Sequence, residues 1–135
     1  MRKIVVIGGA GFVGSVLCPS LVAKGYTTVA YDTFWYGHEV LPKSVWSIQG
    51  DMRDIDLLKR TLIGCDAVIH LACVSNDPSF DLNPKLGESI NWESFPAICD
   101  AVREAGVKRF IYASSSSVYL IKDGVVTEDV ECTPL

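Results

Sequence analysis

Lys3-Ile4-Val5-Val6-Ile7-Gly8-Gly9-Ala10-Gly11-Phe12-Val13-Gly14 is the stretch that decides the fold. Ile4 to Ile7 are consecutive β-branched apolar residues, the composition of a strand buried on both faces of a parallel sheet. Glycines follow at once, and then Val13, Val16, Leu17 and Leu21 recur at helical spacing. The order is strand, tight turn, helix.

Each glycine of such a turn has a separate physical task. One lets the chain reverse, one lets the backbone approach a pyrophosphate, and one lets the helix pack closely on the strand. Two registers fit: Gly9, Gly11 and Gly14 form G-x-G-x-x-G, while Gly8, Gly11 and Gly14 form G-x-x-G-x-x-G. The helix start, with Phe12, Val13 and Gly14, then turns free N–H groups and the positive end of its dipole towards phosphates. A second apolar run, Thr27 to Tyr31, ends in Asp32, 18 residues after Gly14. A carboxylate there accepts hydrogen bonds from the adenosine ribose and repels a 2′-phosphate, which favours NAD over NADP. The plain alternative is a glycine-rich turn without a ligand and a solvated Asp32.

A chain of 135 residues suggests one domain. With 49% hydrophobic and 21% charged residues it belongs among globular chains and not disordered ones. A net charge of −4 argues against a nucleic-acid or anionic-membrane partner. No apolar run approaches the ~20 residues of a bilayer span. Arg2-Lys3 before an apolar stretch resembles a signal peptide only superficially, because glycines with a better explanation break that stretch. Cys18, Cys65, Cys73, Cys99 and Cys132 form no C-x-x-C pair, which fits reduced thiols and a cytoplasmic location. With only His38 and His70 as imidazoles, no metal site is expected.

In chain order, the first helix is expected from Phe12 to Lys24 with Gly25 as its stop and a bend at Pro19. Residues 33–44 form a loop whose Phe34-Trp35-Tyr36 cluster either borders an adenine or a domain interface, or simply packs. Val45 to Ile48 is the third strand, and Asp54 is an N-cap for a helix carrying Leu57, Leu58 and Leu62. Asp51 and Met52 follow that strand, where an Asp can accept from an adenine amino group and the next residue can offer apolar contact. Ala67 to Leu71 is the fourth strand. Leu71, Ala72 and Cys73 just beyond it let the backbone lie close to a cofactor, with Cys73 and His70 read as packed residues rather than reactive ones. Residues 74–84 are a polar loop, and a helix from Asn83-Pro84 to Glu104 or Ala105 closes at Gly106, interrupted near Pro96. Trp92, Phe95, Ile98, Cys99 and Val102 share its core face. Arg109 to Ala113 is the fifth strand, and the run Ser114–Ser117 stands at its carboxyl end, where open α/β sheets bind ligands. The alternation implies an α/β fold, a Rossmann-type doubly wound parallel sheet of order 3-2-1-4-5.

The ordered set Gly8–Gly14, Asp32, Gly50-Asp51-Met52, His70-Leu71-Ala72, Asn91 and Tyr112–Tyr119 resembles the amino-terminal part of the extended short-chain dehydrogenases/reductases, the NAD-dependent nucleotide-sugar epimerase/dehydratase family. The resemblance implies hydride transfer between NAD and a sugar carbon, usually C4 of a nucleotide-linked sugar. It implies a tyrosine base, a lysine that lowers the tyrosine pKa, and a Ser/Thr hydrogen-bonded to the reacting oxygen. Ser115, four residues before Tyr119, matches the Ser/Thr. Two departures stand out. Leu120 replaces the family's glycine after Val118-Tyr119. No tyrosine is followed by lysine four residues on; Lys122 is three from Tyr119. The expectation is therefore a fragment with most of an NAD half-site and one catalytic residue. It would bind NAD weakly, lack turnover, leave a sheet edge uncovered and have dimerisation as one way to cover it. A nucleotide sugar is the implied substrate, with its site mostly elsewhere. The competing reading is a non-catalytic dinucleotide-binding sensor or scaffold, and a flavin- or NADP-binding relative is a third.

Overall fold

The first apolar run becomes the middle strand of a five-stranded sheet. In a computed structural model, which describes residues 2–75, 77–119 and 124–132, the strands are β1 (Lys3–Ile7), β2 (Thr27–Asp32), β3 (Trp46–Gln49), β4 (Ala67–His70) and β5 (Arg109–Tyr112). They are all parallel, in the order β3-β2-β1-β4-β5. The expected doubly wound topology is therefore observed. Ile7 lies opposite Tyr31 and His70, Asp32 opposite Gln49, and His70 opposite Tyr112. The carboxyl ends of all the strands thus share one rim.

Alternate residues of β1 feed two cores. Val5 and Ile7, with Val29, Tyr31 and Val68, face α2 (Ile55–Leu62) and α5 (Phe95–Glu104). Ile4 and Val6, with Ala30, face Cys18, Leu21 and Val22 of α1 (Gly14–Ala23). Burial of such side chains contributes roughly 1.5–3 kcal/mol each and leaves β1 no freedom to slip register.

α1 begins later than expected, at Gly14, and runs through Pro19 uninterrupted before Gly25 ends it at φ 85°. Its sheet-facing stripe is Gly14, Cys18, Leu21 and Val22, so Val13 and Val16 are not core residues; they are 57% and 70% exposed. Asp54 caps α2 as expected, its Oδ1 accepting the N–H of Leu57 at 3.0 Å. Phe34 is buried with φ 57° and stacks on His38 at 4.2 Å, whereas Trp35 and Tyr36 stay exposed.

Residues 77–104 depart most from expectation. Part of the supposed loop is helical: α3 spans Asp77–Leu82, and α4 (Pro84–Glu88) then starts with Asn83 as its cap. The chain next widens into a π-helical segment, Ser89–Glu93, and re-enters the α conformation at Phe95 with Pro96 in the first turn. Proline costs little there, because its missing N–H would have had no helical partner. The wider winding rotates what precedes it relative to α5. Ile98, Ala101 and Val102 keep the core face, but Trp92 swings out to 78% exposure.

Candidate functional site

Protein packing accounts for three of the four turn glycines. Gly8 has φ 84°, donates its N–H to Tyr31 O at 2.9 Å, and would bring a Cβ within 2.6 Å of Ala72 N. A Cβ on Gly9 would stand 2.6 Å from Ala30 Cβ, and one on Gly14 would stand 2.5 Å from the carbonyl oxygens of Gly8 and Gly9. Gly11 is different. A Cβ there would meet nothing nearer than Gly8 O at 3.4 Å, an ordinary contact. The N–H groups of Phe12, Val13 and Gly14 find no protein acceptor among the described residues. Phe12 itself is 96% exposed. The fold thus leaves an open shelf at the start of α1, lined by donors at the positive end of a ten-residue helix.

Asp32, the last residue of β2, borders this shelf. Oδ2 accepts the N–H of Ala10 at 2.9 Å, and Oδ1 accepts the N–H of Phe34 at 2.9 Å. A carboxylate has lone pairs beyond these, so Asp32 is oriented without being saturated.

Asp51 follows β3, with its carbonyl accepting the phenol O–H of Tyr31 at 2.7 Å. Its carboxylate pairs with Arg53 through both oxygens, and the hydrogen bonds from that guanidinium hold it below the usual carboxylate range. Met52 points the other way. It is 6% exposed and belongs to the core with Ile7, Tyr31 and Leu58, so its side chain is not on the crevice wall.

Across β1 the crevice is bounded by the segment after β4. Ile7 O accepts the N–H groups of Leu71 at 2.8 Å and Ala72 at 3.1 Å, which sets their backbone against Gly8. Cys73 is exposed rather than packed. His70 is buried among Phe95, Phe110 and Tyr112 with no partner for Nδ1, and burial pushes its pKa down to about 4. That is a packed neutral imidazole, as expected.

Ser115 lies on the same rim, past β5, exposed, with Oγ accepting the N–H of Ser117 at 3.1 Å at the start of a 3₁₀ turn, Ser116–Tyr119. Leu120 and Lys122 lie outside the described residues. The structure therefore gathers Gly8–Gly14, Asp32 and Leu71-Ala72 around β1, while Asp51 and Ser115 stand towards the two margins of the rim.

Two residues were missed as functional candidates. Arg53 is one. Asn91 is the other: Oδ1 accepts Val74 N–H at 2.8 Å and Nδ2 donates to Val74 O at 2.9 Å, so the π-helical segment clamps the segment after β4. In the sequence Asn91 stands out only as a family landmark. A separate cavity of about 290 Å³, between Val22, Tyr26, Thr28 and Trp46, lies at the opposite, amino end of β2 and β3, remote from this chemistry. Among the described residues no His/Cys/Asp/Glu cluster could hold a metal, and no helix is long and apolar enough to cross a membrane.

Solved structures share this fold. The UDP-glucose 4-epimerase of Rhizobium meliloti (strain 1021) is 32% identical over 132 residues, which cover 95% of this chain and 40% of that protein. The crystal structure of UDP-glucose 4-epimerase from Brucella ovis in complex with NAD superimposes with a TM-score of 0.88 at 27% identity, covering all of this chain and 42% of the other. MoeE5 in complex with UDP-glucose and NAD gives a TM-score of 0.83 at 36% identity, covering 98% and 43%. The chain thus spans about two fifths of the length of these relatives. Residues 4–135 match the family described as the NAD dependent epimerase/dehydratase family, and the chain belongs to that family.

Proposed function

We propose that this chain is the NAD-binding half of a nucleotide-sugar epimerase or dehydratase. The observation that carries the reading is Gly11, a glycine the protein's own packing does not require, beside three unclaimed N–H groups. A diphosphate fits that shelf. The N–H groups of Phe12, Val13 and Gly14 would bind it, Gly11 would leave it room, and the α1 dipole would favour its charge. Asp32 would hold the adenosine ribose hydroxyls, Asp51 the adenine amino group, and the Leu71-Ala72-Cys73 backbone would line the nicotinamide side.

Bound NAD supplies a hydride acceptor and donor. The chain's own contribution to chemistry is Ser115, whose hydroxyl would hydrogen-bond the sugar oxygen that gains charge as its proton leaves. The 135 residues contain no Tyr-x-x-x-Lys, so this chain by itself is proposed to bind NAD without turning over a sugar nucleotide. The names of the relatives, UDP-glucose 4-epimerases among them, support UDP-sugars as the substrate class.

Titration calorimetry with NAD, NADP and FAD tests the binding half of the proposal. NAD alone should bind with a measurable heat. Binding of FAD or NADP in preference to NAD would overturn it. Adding UDP-glucose to the NAD complex tests the chemical half: formation of NADH or UDP-galactose by these residues alone would refute the assignment of the base outside them.

A further inference from the structure

Arg53 grips Asp51 and an anchor on another element at once. Asp51 Oδ1 accepts the backbone N–H of Arg53 at 2.9 Å and its Nε–H at 2.9 Å, and Oδ2 accepts from Nη2. Nη1 of the same guanidinium donates to Ser89 Oγ at 2.9 Å, and Ser89 donates onward to Leu86 O at 2.9 Å. The fork is therefore fixed at both ends, between the turn after β3 and the π-helical segment.

A carboxylate offers about four lone-pair directions. Arg53 fills three of those on Asp51, two on Oδ1 and one on Oδ2. One direction stays open, on Oδ2, and its orientation is no longer free to rotate. An open acceptor suits a ligand group that only donates. The 6-amino group of a purine is such a donor, whereas a 6-oxo group would place acceptor against acceptor.

We propose that Arg53 is a positioning residue that fixes the one open lone pair of Asp51 and so makes the crevice select a 6-amino purine dinucleotide over its 6-oxo counterpart. This rests on the reading that a dinucleotide occupies the crevice with its base beside Asp51. Lysine could keep the charge but not the fork, since its ammonium is a single rotating donor.

The test compares NAD with nicotinamide hypoxanthine dinucleotide by calorimetric titration. The unaltered chain should prefer NAD by about tenfold or more, the worth of one hydrogen bond to a charged acceptor. Arg53→Lys should cut that ratio to threefold or less while the thermal midpoint moves little, because both partners are more than a third exposed. Ser89→Ala, which removes only the outer anchor, should narrow the ratio partway. Asp51→Asn, able to donate as well as accept, should raise affinity for the hypoxanthine form. An unchanged ratio in Arg53→Lys, with both dinucleotides bound, would overturn the role of Arg53. Should Arg53→Lys fail to fold, an unchanged ratio in Ser89→Ala decides against it. Failure of the unaltered chain to bind either dinucleotide would instead sink the proposed function.

Discussion

The carboxylate of Asp32 accepts the backbone N–H of Ala10 at 2.9 Å, so the residue that ends β2 also fastens the turn that follows β1. One side chain therefore shapes the shelf and, in the proposed complex, would face the ribose. Asp32→Asn keeps an acceptor but loses the charge. It is expected to weaken NAD binding by about tenfold, the loss of a charged hydrogen bond, and to narrow the NAD-to-NADP ratio by a similar factor. Calorimetry with both nucleotides measures this, and an unaltered ratio would place the carboxylate away from the ribose 2′ position.

Gly11 and Gly14 should separate binding from folding. Gly14→Ala drives a methyl to 2.5 Å from two carbonyl oxygens, so α1 must shift away from the turn, at a cost of about 2 kcal/mol or more. Gly11→Ala meets only an ordinary contact and should leave the thermal midpoint close to that of the parent, while NAD affinity falls at least tenfold. Thermal melts paired with NAD titrations give both numbers. Gly11→Ala binding NAD normally would contradict the shelf.

His70 makes acid sensitivity predictable. Its folded pKa, about 4, lies below the ordinary 6.5, so the native state prefers the neutral ring. The stability this protects is complete above pH 6.5 and declines as pH falls towards 4, by up to about 3 kcal/mol, because the unfolded chain takes up the proton first. Urea unfolding at pH 7 and pH 4.5 should show this loss, and His70→Leu should reduce it. Equal pH dependence in the two proteins would mean that the ring is not held neutral.

Asn91→Ala removes both hydrogen bonds to Val74. The expected cost is about 1–3 kcal/mol, with faster hydrogen exchange at the Val74 amide than at β1 amides. Exchange measured by mass spectrometry or NMR checks it; slow exchange at Val74 in the variant would show that the segment is held by something else.

The sheet was legible because each buried strand carries its own signature. Ile4 to Ile7 and Thr27 to Tyr31 are short apolar runs ending in glycine or a carboxylate, and parallel strands covered on both faces need that composition. Asp32 and the glycines were legible for the same local reason. The interrupted helix was not. Asp77-Pro78-Ser79 reads as turn chemistry, yet a short helix forms there. Trp92 fits a regular helical stripe with Ile98 until a π-helical segment shifts the phase, and no spacing rule reports such a shift in advance. Val16 shares the apolar helical spacing of Leu21, yet the stripe that packs on the sheet runs through Cys18, Leu21 and Val22. Arg53 escaped notice because a fork on Asp51 anchored at Ser89 joins residues 36 positions apart.

The extra residue wound into the segment Ser89–Glu93 also aims Asn91. Deleting Trp92 would remove that residue and carry Pro96 from a first turn into the interior of one longer helix, where its missing N–H and its ring cost about 3 kcal/mol. It would also turn Asn91 by about 100°, the angular step of one α-helical residue, and take its amide off Val74. Here the irregularity does two jobs at once, seating Pro96 in a first turn and keeping Asn91 on Val74.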